Sequence, residues 1–247
     1  MTATPSSQLT AVTRTVTLAE DGNTVTLEQT FPVHPEELWS ALTIGSHLEV
    51  WFGRASGEVV EGGSYTLPDM ETRGSVLAVE EPARLLLSWE VGKSSTRLEL
   101  LVAPVDAAAG TAADTAADTA QADQAADADE ADRAADAEEQ AAPVGSSFTL
   151  RHTVPEDAHW KTFGPAATGL GWDAALYALA LHLQDPSVDL IPQLGDFAGS
   201  EEGEEFTRAT AEAWFEAHIA TGVDKKPARK ASVRTAAFYL GEEPELS

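Results

Sequence analysis

The sequence contains no cysteine, which excludes disulfide bonds, thiol catalysis and thiolate metal sites. Basic residues are scarce as well, because 15 Lys and Arg stand against 41 Asp and Glu, for a formal net charge of -26. Nucleic acids and anionic membrane surfaces both attract clustered positive charge, so we expect neither as a partner. The segment 1–10 is polar and has no apolar signal-like run. We therefore expect a cytoplasmic location.

Familiar catalytic and cofactor-binding motifs are also missing. The six histidines, at positions 34, 47, 152, 159, 182 and 218, show no spacing typical of a metal site. The sequence has no HExxH motif, no Gly-x-Ser-x-Gly elbow and no phosphate-binding glycine loop. We therefore predict no metal ligand, no cofactor and no catalytic residue. Four ionisable residues could point inward, although ion-paired or solvent-facing roles are favoured for them: Glu49, Arg73, His152 and Asp173.

The strongest pattern in the chain is an apolar helical stretch at 169–183. Large apolar residues recur there at steps of three and four, the spacing of one helix face. Asp173 and His182 interrupt the stretch, which is also shorter than the ~20 apolar residues that a membrane span needs. The pattern predicts a buried core helix that begins near Pro165 and ends near Pro186. Its two faces carry Trp172, Leu176, Leu179 and Leu183 on one side, and Leu170, Ala174, Tyr177 and Leu181 on the other.

The segments before this helix read mainly as strands. Residues 12–18 and 24–31 alternate apolar and polar side chains around an Asp-Gly turn, which indicates a hairpin. Two short helices are predicted next, at 35–42 and 46–51. Short turns then separate further strand-like runs, which suits an antiparallel meander better than crossover helices. These runs are 57–60, 64–67, 73–79, 84–90, 96–102 and 147–154, and a loop is predicted at 155–160.

A low-complexity segment at about 104–143 separates the last two predicted strands. Between Asp106 and Glu139 it has eleven acidic residues and one basic residue, so it supplies -10 of the net charge. It lacks large apolar side chains and cannot bury enough surface to order itself. We interpret it as a solvated expansion of a hairpin tip, with an acidic docking segment as the alternative. Residues 1–10 are interpreted as a flexible tail.

The C-terminal part, 187–247, is predicted to be a helical extension. A loop at 189–199 precedes helices at about 200–220 and 227–240. The last of these helices starts in a basic cluster, which either pairs with acidic residues of the same chain or forms a site for an anionic ligand or partner. The cluster consists of Lys225, Lys226, Arg229, Lys230 and Arg234.

The order of elements, together with three stretches, carries a family resemblance. The stretches are LEQTFPVHPEELWSALT at 27–43, LEVWFG at 48–53 and GWDAALYALALHL at 171–183. In these the sequence resembles the START-like SRPBCC superfamily, and within it the branch of activator of heat-shock protein 90 ATPase homologue-like proteins. The resemblance implies an α+β helix-grip fold, a curved antiparallel sheet wrapped around a long C-terminal helix. Residues 11–186 would form this domain, and 187–247 would be added to it.

The resemblance also implies an apolar cavity between sheet and helix. The leading hypothesis is a non-enzymatic module that binds a small hydrophobic or amphipathic ligand there. The alternatives are a protein-interaction module of the chaperone-cofactor type and a cyclase- or hydrolase-like enzyme, since one scaffold serves many functions. The candidate ligand-binding residues are Trp51, Phe52, Tyr65, Met70, Trp89, Phe148, Trp172, Leu176 and Leu179.

Overall fold

The computed structural model describes residues 3–105 and 145–244, so the predictions for the acidic segment lie outside the described residues. The strands are β1 (Thr13–Ala19), β2 (Gly22–Phe31), β3 (Ser56–Gly57), β4 (Ser64–Leu67), β5 (Thr72–Glu80), β6 (Arg84–Val91), β7 (Ser94–Val105) and β8 (Gly145–Val154). The helices are α1 (Pro5–Ala11), α2 (Pro35–Thr43), α3 (Gly45–Trp51), α4 (Ala158–Phe163), α5 (Ala166–Gln184), α6 (Ile191–Ala198), α7 (Glu201–Ile219) and α8 (Lys225–Leu240). A 3₁₀ turn spans Pro68–Met70.

The strands form one antiparallel sheet in the order β1-β2-β8-β7-β6-β5-β4-β3. The predicted hairpin of β1 and β2 closes over a two-residue turn, because Ala19 pairs with Gly22. The predicted pairing of β7 with β8 is confirmed, and Val105 lies opposite Gly145 at its end. A bulge between Val76 and Ala78 in β5 breaks the regular register, and bulges increase the bend of a strand. The sheet curves around α5, which confirms the predicted α+β helix-grip architecture.

Helix α5 is buried on two sides, as its sequence predicts. Leu176 and Leu179 are almost fully buried in the main core. On another side Tyr177 packs against Phe197 of α6 and Phe206 of α7, with ring centroids 5.4 and 5.8 Å apart. This second face therefore meets the C-terminal helices through Tyr177, whereas Ala174 of the same face is exposed.

A buried ion pair connects α5 to three other parts of the chain. The Arg14 Nη2 atom lies 2.6 Å from an oxygen of Asp173, whose side chain is completely buried. The Trp214 indole N–H donates to the other carboxylate oxygen at 2.7 Å. Arg14 Nη1 also donates to the carbonyl oxygens of Leu9 and Val12. Burial raises the pKa of Asp173, whereas the Arg14 guanidinium and the Trp214 N–H act to lower it.

Glycine at position 169 lets Trp214 reach this ion pair. A Cβ atom at Gly169 would lie 2.1 Å from the Trp214 ring, a distance that excludes any larger residue without a shift. The close approach of α7 to α5 therefore depends on this glycine.

The prediction of a flexible tail is wrong for residues 5–10, which belong to α1. Thr4 and Ser7 cap the helix reciprocally, and serine in the last place of such a box is a weaker signal than glutamate. Gln8 is buried because its side-chain amide pairs with that of Gln29 on β2, at 2.8 and 3.1 Å. A sequence pattern that equates polar with exposed cannot anticipate such a pair.

Three further predictions differ from the structure. The strand at 57–60 shrinks to Ser56–Gly57, and the chain turns at 60–63, where the Gly63 N–H donates to the Val60 carbonyl at 2.8 Å. The loop at 155–160 contains the start of α4, where the Asp157 carboxylate accepts from the Trp160 N–H at 2.9 Å. The loop at 189–199 contains α6, whose proline lies in the first turn, where it is tolerated.

Candidate functional site

A cavity of about 130 Å³ lies between the inner face of the sheet and α5. Its closed end is formed by buried aliphatic residues and one aromatic residue on β5 to β8 and α5, among them Val76, Leu98, Leu100, Phe148, Leu150, Leu176 and Leu179. Its mouth lies between the α2–α3 corner and the exposed segment Gly57, Glu58 and Val59. The cavity is thus closed at the core and open at one edge of the fold.

Eight of the nine predicted ligand-binding residues line this cavity, namely Trp51, Phe52, Tyr65, Trp89, Phe148, Trp172, Leu176 and Leu179. Met70 is not among the lining residues. It ends the 3₁₀ turn after β4, and its methyl group lies beside Gly53. Leu67, the last residue of β4, lines the wall instead.

The prediction missed most of the aliphatic wall. Leu85 and Leu87 on β6, and Leu98 and Leu100 on β7, line the cavity. Each pair follows the period of two that places side chains on one face of a strand. That alternation is visible in the sequence, but the selection of large aromatic residues overlooked it.

The aromatic wall residues form one connected cluster. The rings of Phe52 and Trp172 are stacked, with centroids 6.1 Å apart and an interplanar angle of 7°. Trp89 meets Trp172 edge-on at 5.2 Å, and Trp51 contacts Phe52 at 5.2 Å. Such pairs add stability beyond the area they bury, so the cluster fixes the shape of this part of the wall.

His152 holds Trp172 in place from behind the wall. The Trp172 indole N–H donates to His152 Nδ1 at 3.0 Å, which requires that the imidazole proton sits on Nε2. Nε2 then donates to the Thr96 hydroxyl at 2.7 Å, and that hydroxyl donates to the Trp89 carbonyl at 3.0 Å. Burial lowers the pKa of His152 from 6.5 to about 4, so the ring is neutral at pH 7. With both nitrogens occupied, His152 is a positioning residue.

Other polar atoms of the wall are also paired within the protein. The Tyr65 hydroxyl donates to the Ser88 carbonyl at 2.7 Å, and burial raises the pKa of this phenol. The Trp51 N–H donates to the Ala41 carbonyl at 3.2 Å. These bonds turn the polar atoms toward the backbone and leave the ring surfaces for the cavity.

Charge at the site is confined to the mouth. Among the described lining residues Glu58 is the charged one, and it is exposed. Of the four ionisable residues considered from the sequence, Glu49 and Arg73 are exposed, as favoured. Asp173 is ion-paired, also as favoured, and only His152 points inward without a charged partner.

Part of the basic cluster at the start of α8 is engaged by the chain itself. Arg229 forms two hydrogen bonds with the Glu212 carboxylate and lies 3.5 Å over the Phe215 ring. Arg234 reaches the Thr162 carbonyl at 3.5 Å. Both contacts hold α8 against its neighbours. Arg229 pairs with an acidic residue of the same chain, which is one of the two predicted alternatives, whereas Arg234 bonds to a backbone carbonyl.

Residues 3–105 and 145–244 contain neither a cluster of metal-ligating side chains nor a helix that could span a membrane. Within them, no three His, Asp or Glu side chains converge as a metal site would require. None of the helices in the same part of the chain is long and apolar enough to cross a bilayer.

Comparisons with known proteins agree with this architecture. The sequence model of a family described as "Activator of Hsp90 ATPase homolog 1-like protein" matches residues 32–183. A crystal structure of CalU16 from Micromonospora echinospora is similar, with 18% identity, a TM-score of 0.52 and coverage of 83% of this chain and 96% of that one. Its solution NMR structure has 20% identity, a TM-score of 0.55 and coverage of 86% and 96%. No curated protein sequence matches this chain.

Proposed function

Because the chain belongs to the family of Activator of Hsp90 ATPase homolog 1-like proteins, we propose that it is a START-like domain that binds a small, mainly apolar ligand. The ligand site is the cavity between the sheet and α5. One observation carries the proposal: an apolar cavity with an aromatic cluster on its wall is closed at the core and open at one edge. Concave, mainly apolar clefts of this kind are the usual sites for small molecules.

The size of the cavity limits what can be enclosed. A dry cavity of about 150 Å³ holds a molecule such as benzene, and this one has about 130 Å³. We therefore infer a ligand with one ring or a short branched chain inside, and any further atoms outside the mouth. Burying its apolar surface would contribute roughly 25 cal/mol for each Å² removed from water.

The proposed role is binding without chemical conversion. General acid–base catalysis needs a titratable group that is free to exchange a proton with the ligand. The ionisable side chains among the described lining residues are Tyr65, whose hydroxyl is engaged by Ser88, and Glu58 at the mouth. This pairing favours a binding module over the cyclase- or hydrolase-like alternative. A cytoplasmic location stays a prediction from the sequence.

The test is a pair of matched substitutions on α5. Ala175 lines the cavity, whereas its neighbour Ala174 is exposed. We expect benzene, toluene or ethylbenzene to bind wild type saturably at one site, measured by ligand-observed NMR and tryptophan fluorescence. Ala175→Leu fills the site and should weaken binding at least about tenfold, a loss of roughly 1.4 kcal/mol. Ala174→Leu makes the same chemical change outside the cavity and should bind like wild type.

Two results would contradict this proposal. If wild type shows no saturable binding, the cavity is not a site for such ligands. Equal binding by the Ala175→Leu and Ala174→Leu proteins would place any observed site elsewhere on the molecule. Native mass spectrometry of the purified protein, with solvent extraction, supplies an independent search for a co-purified ligand.

The family description supports a second candidate function, a chaperone-cofactor role. Its test is stimulation of the ATPase of a heat-shock protein 90 by the purified protein, with Ala175→Leu as a variant altered only inside the cavity. Stimulation that survives this substitution would favour a surface-mediated interaction. If the ATPase rate does not change at saturating protein concentration, the cofactor role is excluded for that chaperone.

A further inference from the structure

We propose that the ligand is a single-ring compound that carries a cationic amine on a short chain, with the ring in the cavity and the ammonium group beside Glu58. This inference rests on the proposed function, since it names the ligand class of the same cavity. It makes Glu58 a specificity-determining residue, a role that is separate from the apolar binding itself.

The first step is the orientation of the ligand. Exposure increases along the cavity, from the buried residues Phe148 and Leu176, through half-buried Trp89 and Trp172, to exposed Gly57 and Glu58. An ammonium group strongly prefers water and would cost several kcal/mol at the closed end. An amphipathic ligand must therefore enter with its ring first and keep its charged end at the mouth.

The second step is the sign of that charge. The described lining residues include no Lys, Arg or His, and Glu58 is the acidic residue among them. The nearest basic residue in sequence, Arg54, is engaged by Asp69, with Nη2 and Oδ1 2.5 Å apart. Glu49 on α3, beside the α2–α3 corner, is a further exposed acid. The charges about the mouth thus favour a cation and disfavour a carboxylate such as a fatty acid.

The third step is the size of the effect that Glu58 has on ligand affinity. Glu58 is exposed, and an ion pair in water changes affinity by only roughly two- to fivefold. The opposite effect on a carboxylate ligand widens the ratio of amine to acid affinity to about tenfold. High salt should reduce that ratio, because the Debye length falls from about 10 Å at 0.1 M to about 3 Å at 1 M.

The experiment compares three ligand series of matched shape on the full chain. Phenylalkylamines with one to four methylene groups are titrated beside the corresponding alkylbenzenes and phenylalkanoates, at about 0.05 M and about 1 M salt. The variants are Glu58→Gln and Glu61→Gln, which remove the same charge. Glu61 is not among the lining residues, so its variant is the matched control.

We expect the amine to bind more tightly than the acid by about tenfold at low salt, with the alkylbenzene between them. Glu58→Gln should reduce this ratio at least threefold, and Glu61→Gln should leave it nearly unchanged. The chain length with the highest affinity would report the distance from the ring site to the carboxylate.

Two other outcomes overturn the inference, and they can be told apart from failure of the proposed function. If alkylbenzenes bind but amines and acids bind equally, the cavity is a ligand site without charge selection. If both glutamine variants reduce the ratio equally, the net charge of -26 acts as a whole and Glu58 has no special role. If no member of any series binds, the proposed function itself fails.

Discussion

At the scale of single residues, His152 shows how the site is kept apolar. The ring is buried behind Trp172 and has no carboxylate partner, so burial lowers its pKa. The three hydrogen bonds from Trp172 through His152 and Thr96 to the Trp89 carbonyl set the tautomer and hold both tryptophans. The chain therefore uses a histidine, a frequent catalytic residue, to position a wall.

His152 should make stability depend on pH between 6.5 and 4. The folded state binds the proton less readily than the unfolded chain, because its pKa is about 4 against 6.5. The stability that the neutral ring contributes is therefore complete above pH 6.5 and is lost as pH falls toward 4. By pH 5 we expect wild type to lose about 2 kcal/mol relative to His152→Gln, measured by urea unfolding at pH 7.5, 6 and 5.

The glutamine is a suitable reference because its amide can accept from Trp172 and donate to Thr96 without titrating. His159→Gln, at an exposed histidine, controls for the removal of one titratable group. Parallel stability curves for wild type and His152→Gln would show that His152 has the same pKa in the folded and unfolded states, so that burial does not lower it.

At the scale of elements, the sequence predicted those whose side chains follow one clear period. Helix α5 was expected to begin near Pro165 and end near Pro186, and it spans Ala166–Gln184. Short elements were missed where one polar interaction decides the structure, such as the Gln8–Gln29 pair for α1 and the Asp157 cap for α4. These contacts join residues or caps that carry no periodic signal, so the pattern could not reveal them.

The candidate site likewise has parts that the sequence could predict and parts that it could not. Of the predicted residues, the aromatic ones in or next to the family-like stretches, such as Trp51, Phe52 and Trp172, line the cavity. Met70 does not line it, because the 3₁₀ turn after β4 moves it away from the wall. The hydrogen bond from Trp172 to His152 depends on how α5 is placed against β8. A single sequence does not show that placement.

The β7–β8 hairpin allows a test of the acidic segment. Val105 and Gly145 are directly paired, so an Asn-Gly turn could replace residues 106–144. If the segment is the solvated spacer that its composition predicts, the shortened protein should be as stable as wild type or more stable by up to about 2 kcal/mol, because less loop entropy is lost. Thermal and urea unfolding of both proteins measure the difference.

A Gly/Ser linker of equal length is the matched control for this hairpin. It keeps the loop length and removes the acidic composition, so it should unfold like wild type. A loss of several kcal/mol in both replacements would mean that the acidic segment packs on the fold. A loss of stability in the Gly/Ser protein alone would mean that the acidic composition of residues 106–144 stabilises the fold.

At the scale of the whole molecule, the C-terminal helices are integrated with the family domain. The family match ends at residue 183, yet Trp214 of α7 donates to Asp173 of α5, and its side chain is completely buried. Arg14, from β1, completes the same cluster. Residues far apart in the chain thus depend on one buried carboxylate, and an unpaired buried charge is strongly destabilising.

Removal of residues 187–247 should therefore unfold the domain instead of trimming it. The truncation deletes the buried side chains Leu190, Phe206, Trp214 and Phe215. At roughly 2 kcal/mol each, their burial amounts to about 8 kcal/mol, a large part of the stability of an ordinary domain. We expect the fragment 1–186 to lack a cooperative thermal transition and near-ultraviolet circular dichroism.

A single substitution tests the same dependence without deleting a helix. Trp214→Phe keeps most of the ring but removes the N–H that donates to Asp173 at 2.7 Å. A hydrogen bond to a charged group contributes roughly 1.5–3 kcal/mol, so we expect a loss of that size in urea unfolding. Trp160→Phe makes the same chemical change at a buried tryptophan on α4 and should cost less. If the two variants are equally stable and the fragment melts cooperatively near the full-length temperature, the extension is an appendage, and the proposed cavity belongs to a domain that stands alone.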